Sequence, residues 1–281
     1  MFDTAAVIDL GSNSVRLTVA DQDRVVFRQR EYVRLSERMG KDNVLKEGPI
    51  QRTIDALMEM KNTIRDNHIE TVYTVATEAV RRAVNQNAFL ERVHYETGLI
   101  FSVLSGEQEA YYDYLGVRYA MDVRDCVILD TGGGSTEFVL VKNGEFAGWG
   151  HIPFGAVILT EQFRTLEEAE MAVRREIKEL SWLEQAQNLD VVGLGGSIRA
   201  VGQNSKEYLT CEEVQEFYSR VREMNVEQRA KLKGVSPNRA DIFAGGLVPL
   251  TVFMKEASAR GLRFSDTSLR EGILYEHFYN S

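Results

Sequence analysis

The sequence is short of the residues that soft metals and disulfides require. Its 281 residues include two cysteines, Cys126 and Cys211, and four histidines, His68, His94, His151 and His277. The cysteines form no CxxC pair and no disulfide framework, which suits a reducing compartment. Cys126 sits in the apolar run Cys126-Val127-Ile128-Leu129 and reads as a buried strand thiol, not a nucleophile. The histidines show no zinc-ligand spacing, so any metal here is expected to be a hard cation held by oxygen.

Positive charge is lacking too. With 33 Lys and Arg against 42 Asp and Glu, the net charge is −9, which argues against a general nucleic-acid or anionic-membrane partner and leaves room only for a local basic pocket. No run of about eighteen apolar residues is present to cross a bilayer. The stretch Met1 to Leu10 carries Asp3 and Asp9 where an export signal has basic residues and then a long apolar region. The expectation is a soluble, cytoplasmic protein. The apolar and charged fractions, 44% and 27%, are those of an ordinary globular chain, and the length allows two domains with separate cores.

What is present has α/β organisation. Short apolar runs predict strands at 5–10, 15–20 and 25–35, the first two joined by Gly11-Ser12-Asn13. Ile50, Ile54, Leu57, Met60 and Ile64 recur at helical spacing. A strand at 71–76, a helix at 86–97 and a strand at 99–104 follow. Ser105 with Gln108 has the spacing of a capping box, which satisfies free N–H groups at a helix start. From Cys126 the plan restarts, with a strand ending in Asp130, a glycine link, a strand at 138–142, a turn at Asn143-Gly144 and another strand toward Ile152. Thr165 with Glu168 and Thr210 with Glu213 mark later helix starts, with a strand at 191–194 between them.

Two stretches repeat. Asp9-Leu10-Gly11-Ser12-Asn13-Ser14 and Asp130-Thr131-Gly132-Gly133-Gly134-Ser135 share D-x-G-x-x-S, each between two strands. We read this as an internal duplication, with lobes at 1–120 and 121–281 and a cleft between them, where ligand sites concentrate. Glycines let the backbone approach an anion closely, and turn N–H groups converge on it as donors. Gly193-Leu194-Gly195-Gly196-Ser197, between a strand and a helix, offers a third such place. It misses GxGxxG, and no GxxxxGK[ST] is present, so the usual nucleotide motifs are absent while phosphate-binding chemistry recurs. Asp9 and Asp130 end buried strands, where a carboxylate needs a partner. Magnesium, held by a few carboxylate oxygens and its own waters, is the natural one beside phosphate; capping of each turn is the plainer alternative. Glu107, Glu109 and Glu137 are all candidates for a base, and the residues themselves do not choose among them. Arg81 and Arg82 offer a planar donor fork for phosphate.

These residues resemble the exopolyphosphatase and guanosine pentaphosphate phosphohydrolase (Ppx/GppA) family, a branch of the actin and sugar-kinase superfamily. The anchors span nearly the whole chain: 8–17, 76–83, Ser105-Gly106-Glu107-Gln108-Glu109-Ala110, 130–137, 152–156, Gly195-Gly196-Ser197, Arg239-Ala240-Asp241 before Gly245-Gly246, and Ser268-Leu269-Arg270-Glu271-Gly272. The resemblance implies a duplicated actin-like, ribonuclease H-like α/β fold of two lobes. It makes Glu109 the catalytic base, gives Asp130 and Glu137 catalytic and metal-related roles, and makes Arg81 a substrate contact; Asp9 is expected as a metal ligand from its own buried strand end. Gly11, Ser12, Asn13, Ser14, Gly132, Gly133, Gly134, Ser135, Gly195, Gly196 and Ser197 are then phosphate-binding positions. With Leu-Arg-Glu-Gly so near the last residue given, the C-terminal helical domains of longer members are expected to be missing, and Leu35-Ser36-Glu37-Arg38-Met39-Gly40 departs from the glycine-rich loop usual there.

The expected function is magnesium-dependent hydrolysis of the terminal phosphoanhydride of inorganic polyphosphate by a water that Glu109 activates. Guanosine pentaphosphate is the alternative substrate, because it carries the same terminal bond. A non-catalytic alarmone or polyphosphate sensor, and a sugar kinase or actin-like ATPase, are further readings that the shared fold permits. A homodimer is carried as the expected assembly.

Overall fold

The stretch Ala5-Ala6-Val7-Ile8-Asp9-Leu10 is buried along its whole length, as a strand covered on both faces must be. It forms the centre of the first of two sheets in a computed structural model that describes residues 4–40 and 42–279. Met1 and Asp3, named above, lie outside the described residues. The first sheet contains β1 (Ala5–Leu10), β2 (Val15–Ala20), β3 (Val25–Glu31), β4 (Thr71–Ala76) and β5 (Ser102–Val103), in the order β3-β2-β1-β4-β5. β2 runs antiparallel to its neighbours, while β4 and β5 continue parallel to β1.

The second sheet repeats the scheme with β6 (Cys126–Thr131), β7 (Thr136–Lys142), β8 (Glu145–Ile152), β9 (Asp190–Leu194), β10 (Tyr208–Thr210) and β11 (Gly261–Phe264). Its order is β8-β7-β6-β9-β11-β10. β6, β7 and β8 are antiparallel, β9 and β11 are parallel to β6, and β10 is an added antiparallel edge. Identical order and direction in five consecutive strand positions establish the duplicated actin-like α/β fold.

Helices cover both sheets. Glu47–Asp66 buries Ile50, Ile54, Leu57, Met60 and Ile64 against the first sheet, as their spacing predicts. The helix Gly106–Ala120 starts with the capping box of Ser105 and Gln108 fully formed. Thr210 and Glu213 form one as well. At Thr165 only half is made: Thr165 accepts from the Glu168 N–H, while the Glu168 carboxylate accepts from Arg164 N–H.

Two expected strands are shorter in the fold. β3 ends at Glu31 because the following residues turn back: Arg34 and Ser36 donate their N–H groups to the carbonyls of Asn13 and Ser12, and Leu35 and Met39 enter the first lobe's core. β5 is only two residues long, since it pairs only with the end of β4.

The chain also crosses between lobes. Gly106–Ala120 packs Ala110, Tyr114, Leu115 and Val117 onto the second sheet. The last helix, Leu269–Tyr279, packs Leu269, Ile273 and Leu274 onto the first. The two helices touch backbone to backbone: a Cβ on Gly116 would overlap the Ser268 carbonyl, and one on Gly272 that of Tyr112.

Candidate active site

The two repeated turns are built alike. Gly11 N–H donates to the Ser14 carbonyl at 3.1 Å, and Gly132 N–H donates to the Ser135 carbonyl at 3.0 Å. They meet face to face: a Cβ on Gly133 would lie 2.9 Å from Ser12 Cβ, and one on Gly134 would lie 2.6 Å from Ser12 Oγ. The second turn is held from behind by the N–H groups of Ala156 and Val157, which donate to the carbonyls of Gly132 and Gly133 at 3.0 and 2.8 Å. The third glycine stretch closes on the same place. Gly195 has φ +85°, a left-handed conformation that favours glycine, and a Cβ there would come within 2.7 Å of Asp130 Oδ1.

Together they enclose a cavity of about 80 Å³ open to water-sized molecules, lined by Asp9, Gly11, Ser12, Asn13, Ser14, Glu109, Asp130, Gly132, Gly133, Gly134, Ser135, Glu137, Gly195 and Gly196. Of the residues singled out in the sequence, Arg81 and Ser197 stand just behind this wall. Arg81 donates to Glu109, to Glu78 Oε2 at 2.5 Å and to the Leu104 carbonyl at 2.5 Å. Ser197 Oγ accepts from Arg239 Nη2 at 3.3 Å. Glu107 does not line the cavity, and Arg82 turns away from it to Met39 Sδ at 3.6 Å.

The strand register explains how Asp9, Arg16, Asp130 and Glu137 come to share the cavity. In the first sheet Asp9, Arg16 and Arg30 lie side by side across β1, β2 and β3. In the second, Asp130, Glu137 and His151 occupy the equivalent row across β6, β7 and β8. Neighbours directly opposite in a ladder project from the same face of a sheet. The duplication therefore sets a row with two arginines beside Asp9 in one lobe against a row with two carboxylates beside His151 in the other.

Burial dominates the electrostatics. It pushes the Glu109 carboxyl up to about 8, with Asp9 and Glu78 adding to it and Arg81 pulling the other way. Burial, then Asp130 and Glu109, holds Asp113 well above the usual carboxylate range. Burial, then Glu109, does the same to Glu137, whose Oε1 accepts from Ser135 Oγ at 2.6 Å. So many buried carboxyls close together cannot all be charged at neutral pH. Opposite them, Arg270 pairs with Asp9 at 2.7 Å. Glu271 and Asp9 outweigh the burial of Arg270 and keep it above its ordinary value. Burial, then repulsion from Arg270, lowers Arg16 and Arg199. Arg239 is brought down to about 10 by burial, with Arg30 and Arg199 adding to the effect.

Among the described residues no group of three or more His, Cys, Asp or Glu is close enough to hold a metal ion by itself. One observation fits a cation that takes only one or two carboxylates: Asp130 Oδ1 is buried and has no hydrogen-bond partner. Asp9 is already paired with Arg270, and Glu137 with Ser135.

Arg16, Glu78, Asp113, Arg239 and Arg270 line the cavity and were given no role from sequence. For Arg16 the signal was there: it stands two residues after Ser14, as Glu137 stands two residues after Ser135, so aligning the repeat one step further pairs them. Asp113 follows Glu109 by four residues, on the same face of its helix. Arg239 and Arg270 lie in two of the stretches that carry the family resemblance, but no local pattern shows that they reach this cavity from remote parts of the chain.

Comparison with known proteins matches most of the chain. The Ppx/GppA phosphatase family matches residues 16–280. A solved Ppx/GppA family member from Aquifex aeolicus is 30% identical, with a TM-score of 0.80 over 100% of this chain and 99% of that one. A solved exopolyphosphatase from Cytophaga hutchinsonii shares the fold at 20% identity, with a TM-score of 0.88 over 99% of this chain and 98% of that one. A bifunctional 3-dehydroquinate synthase/phosphatase of Fusobacterium nucleatum is 29% identical over 89% of this chain, which spans only 42% of that curated relative's length.

Proposed function

The chain belongs to the Ppx/GppA phosphatase family, and from that premise we propose that it hydrolyses the terminal phosphoanhydride of inorganic polyphosphate. The observation that most supports this reading is the position of Glu109: a carboxyl 6% exposed, inside the cavity where both repeated glycine turns meet.

In this mechanism a water beside Glu109 attacks the terminal phosphorus in line. Its proton passes to the Glu109 carboxylate, the bridging P–O bond breaks, and orthophosphate separates from a polymer one unit shorter. A base works best with a pKa near the working pH, and burial brings Glu109 to about 8. The turn N–H groups other than those of Gly11 and Gly132, which are used within the turns, would be donors to the phosphoryl oxygens, and Arg16, Arg239 and Arg270 line the same cavity to balance charge. Positioning and electrostatics of this kind carry most of phosphoryl transfer. Asp130 is the residue to hold a magnesium ion, with Asp9 and Glu137 at its side. When bound, the ion would neutralise charge on phosphate oxygens.

The test is phosphate release from long polyphosphate, tripolyphosphate and guanosine pentaphosphate, with magnesium and with chelator. We expect release from polyphosphate that chelator abolishes. Glu109→Gln should bind substrate but turn over about a hundred- to ten-thousandfold more slowly. An unimpaired Glu109→Gln variant would remove Glu109 as the base. Release from guanosine pentaphosphate alone would reassign the substrate, and binding without release would make the chain a sensor.

A further inference from the structure

Glu78 is a buried carboxylate that the mechanism above does not use. It is 5% exposed, and its environment is built from both lobes. From its own lobe, Arg81 Nη2 donates to Glu78 Oε2 at 2.5 Å. From the other lobe, the Gly134 turn lies across it so closely that a Cβ there would be 3.0 Å from Glu78 Cγ. His151 Nε2 approaches Glu78 Oε2 to 3.4 Å and Glu137 Oε1 to 3.9 Å. That nitrogen is buried and makes no hydrogen bond of its own. The imidazole is seated against the start of the Glu109 helix, where a Cβ on Gly106 would meet His151 Cβ, Cγ and Cδ2 at 3.3 Å.

Arg81 has two working arms. Nη2 is bound to Glu78, while Nη1 is bound to Glu109 and to the Leu104 carbonyl. A guanidinium held by one arm can exchange partners with the other without leaving its place, because its fork is planar and rigid. Glu109 must give up its contact with Nη1 to accept a proton from water, and an incoming phosphoryl oxygen is the acceptor to take that arm.

We propose that Glu78 is a positioning residue, the pivot on which Arg81 turns from Glu109 to the substrate phosphoryl group, and that His151 braces Glu78 from the opposite lobe. This rests on the hydrolytic reading of the same cavity. It adds that the two lobes must close on Glu78 before Arg81 is correctly aimed, because Gly134 and His151 come from the second lobe while Glu78 and Arg81 come from the first.

The test is a double-mutant cycle of Glu78→Gln, Arg81→Gln and the double variant. The readouts are kcat and KM for tripolyphosphate with magnesium, and the calorimetric affinity for inorganic phosphate, which cannot turn over. Glu78→Gln should lower kcat about ten- to a hundredfold with KM little changed, as a misplacement near 1 Å does. In the Arg81→Gln background it should add nothing, in turnover or in phosphate affinity. His151→Gln, which keeps an N–H near the Nε2 position, should retain more activity than His151→Ala. Additive effects of Glu78→Gln and Arg81→Gln would overturn the proposal, as would equal activity of the two His151 variants. Should Glu78→Gln fail to fold, the His151 pair decides. Should no substrate release phosphate, the hydrolytic reading falls and the phosphate-affinity cycle alone decides: a non-additive cycle upholds the pivot and an additive one removes it.

Discussion

Glu109 concentrates the chemistry of the cavity in one titration. Its carboxyl stands near 8, and the groups that face it are Arg81, Asp9, Glu78, Asp113 and Glu137. A base with that pKa is mostly protonated at neutral pH, so kcat/KM should climb about tenfold per pH unit below 8 and level off above it. A pH–rate profile checks this, and a rate that is flat from pH 6 to 9 would contradict it. The same proton bears on stability. Between its ordinary value of 4.5 and about 8, the folded state holds a proton that the unfolded chain releases. The contribution is therefore full at acid pH and lost as pH rises through 8. Glu137 and Asp113, both raised, act in the same direction. Melting temperature should fall from pH 5 to 8, and Glu109→Gln should flatten part of that slope.

At the scale of elements, the pair Gly106–Ala120 and Leu269–Tyr279 does the joining. Each helix follows one lobe in sequence and lies on the sheet of the other or beside it, and each carries site residues: Glu109 and Asp113 on one, Arg270 on the other. Asp113 ties them directly, its Oδ1 accepting the N–H of Leu269 at 2.8 Å. The close crossing depends on Gly116 and Gly272, where the opposing atoms are backbone and cannot rotate away. Gly272→Val should therefore push the helices apart, costing about 2 kcal/mol or more as overpacked positions do. It should also lower activity, because Arg270 moves with its helix. Gly48→Ala, where a Cβ meets nothing nearer than 3.7 Å, is the control expected to leave activity unchanged and stability equal or slightly higher, since Gly48 lies in a helix. Urea unfolding of the two variants is the measurement; equal stability would show that the crossing tolerates a side chain.

Across the whole molecule, the lobes are also fastened at the edge of the cleft. Arg34 follows β3 with φ +47°, and its guanidinium makes a two-pronged pair with Asp241 at 3.0 and 3.1 Å and a bond to the Asn238 carbonyl at 2.7 Å. Both partners are more than a third exposed, so the pair contributes little to global stability. Its effect should appear in how often the lobes separate. Arg34→Ala should leave the melting temperature nearly unchanged yet speed hydrogen exchange at the residue 34 amide, which donates to the Asn13 carbonyl, and at residues 238–242. If exchange there matches the wild type, the bridge does not restrain the cleft.

Much of this was legible in the chain because it is local. The 9–14 and 130–135 repeats, the Ser105 and Gln108 cap, and the 3.6-residue apolar stripe of the first helix are each complete within a few residues. A short window therefore showed the duplication, the glycine turns and the place of Glu109 at a helix start. The approach of Arg270 to Asp9, 261 residues away, leaves no periodic trace. Nor does the cross-lobe seat of Glu78, which in sequence is merely a carboxylate in the first turn of a helix. Backbone preference and hydrophobic pattern act between neighbours, so the sequence by itself determined two repeated sheets with anion-binding turns at their strand ends. Which charges face one another depends on how the lobes close and how the two helices cross, and only the tertiary structure decided that.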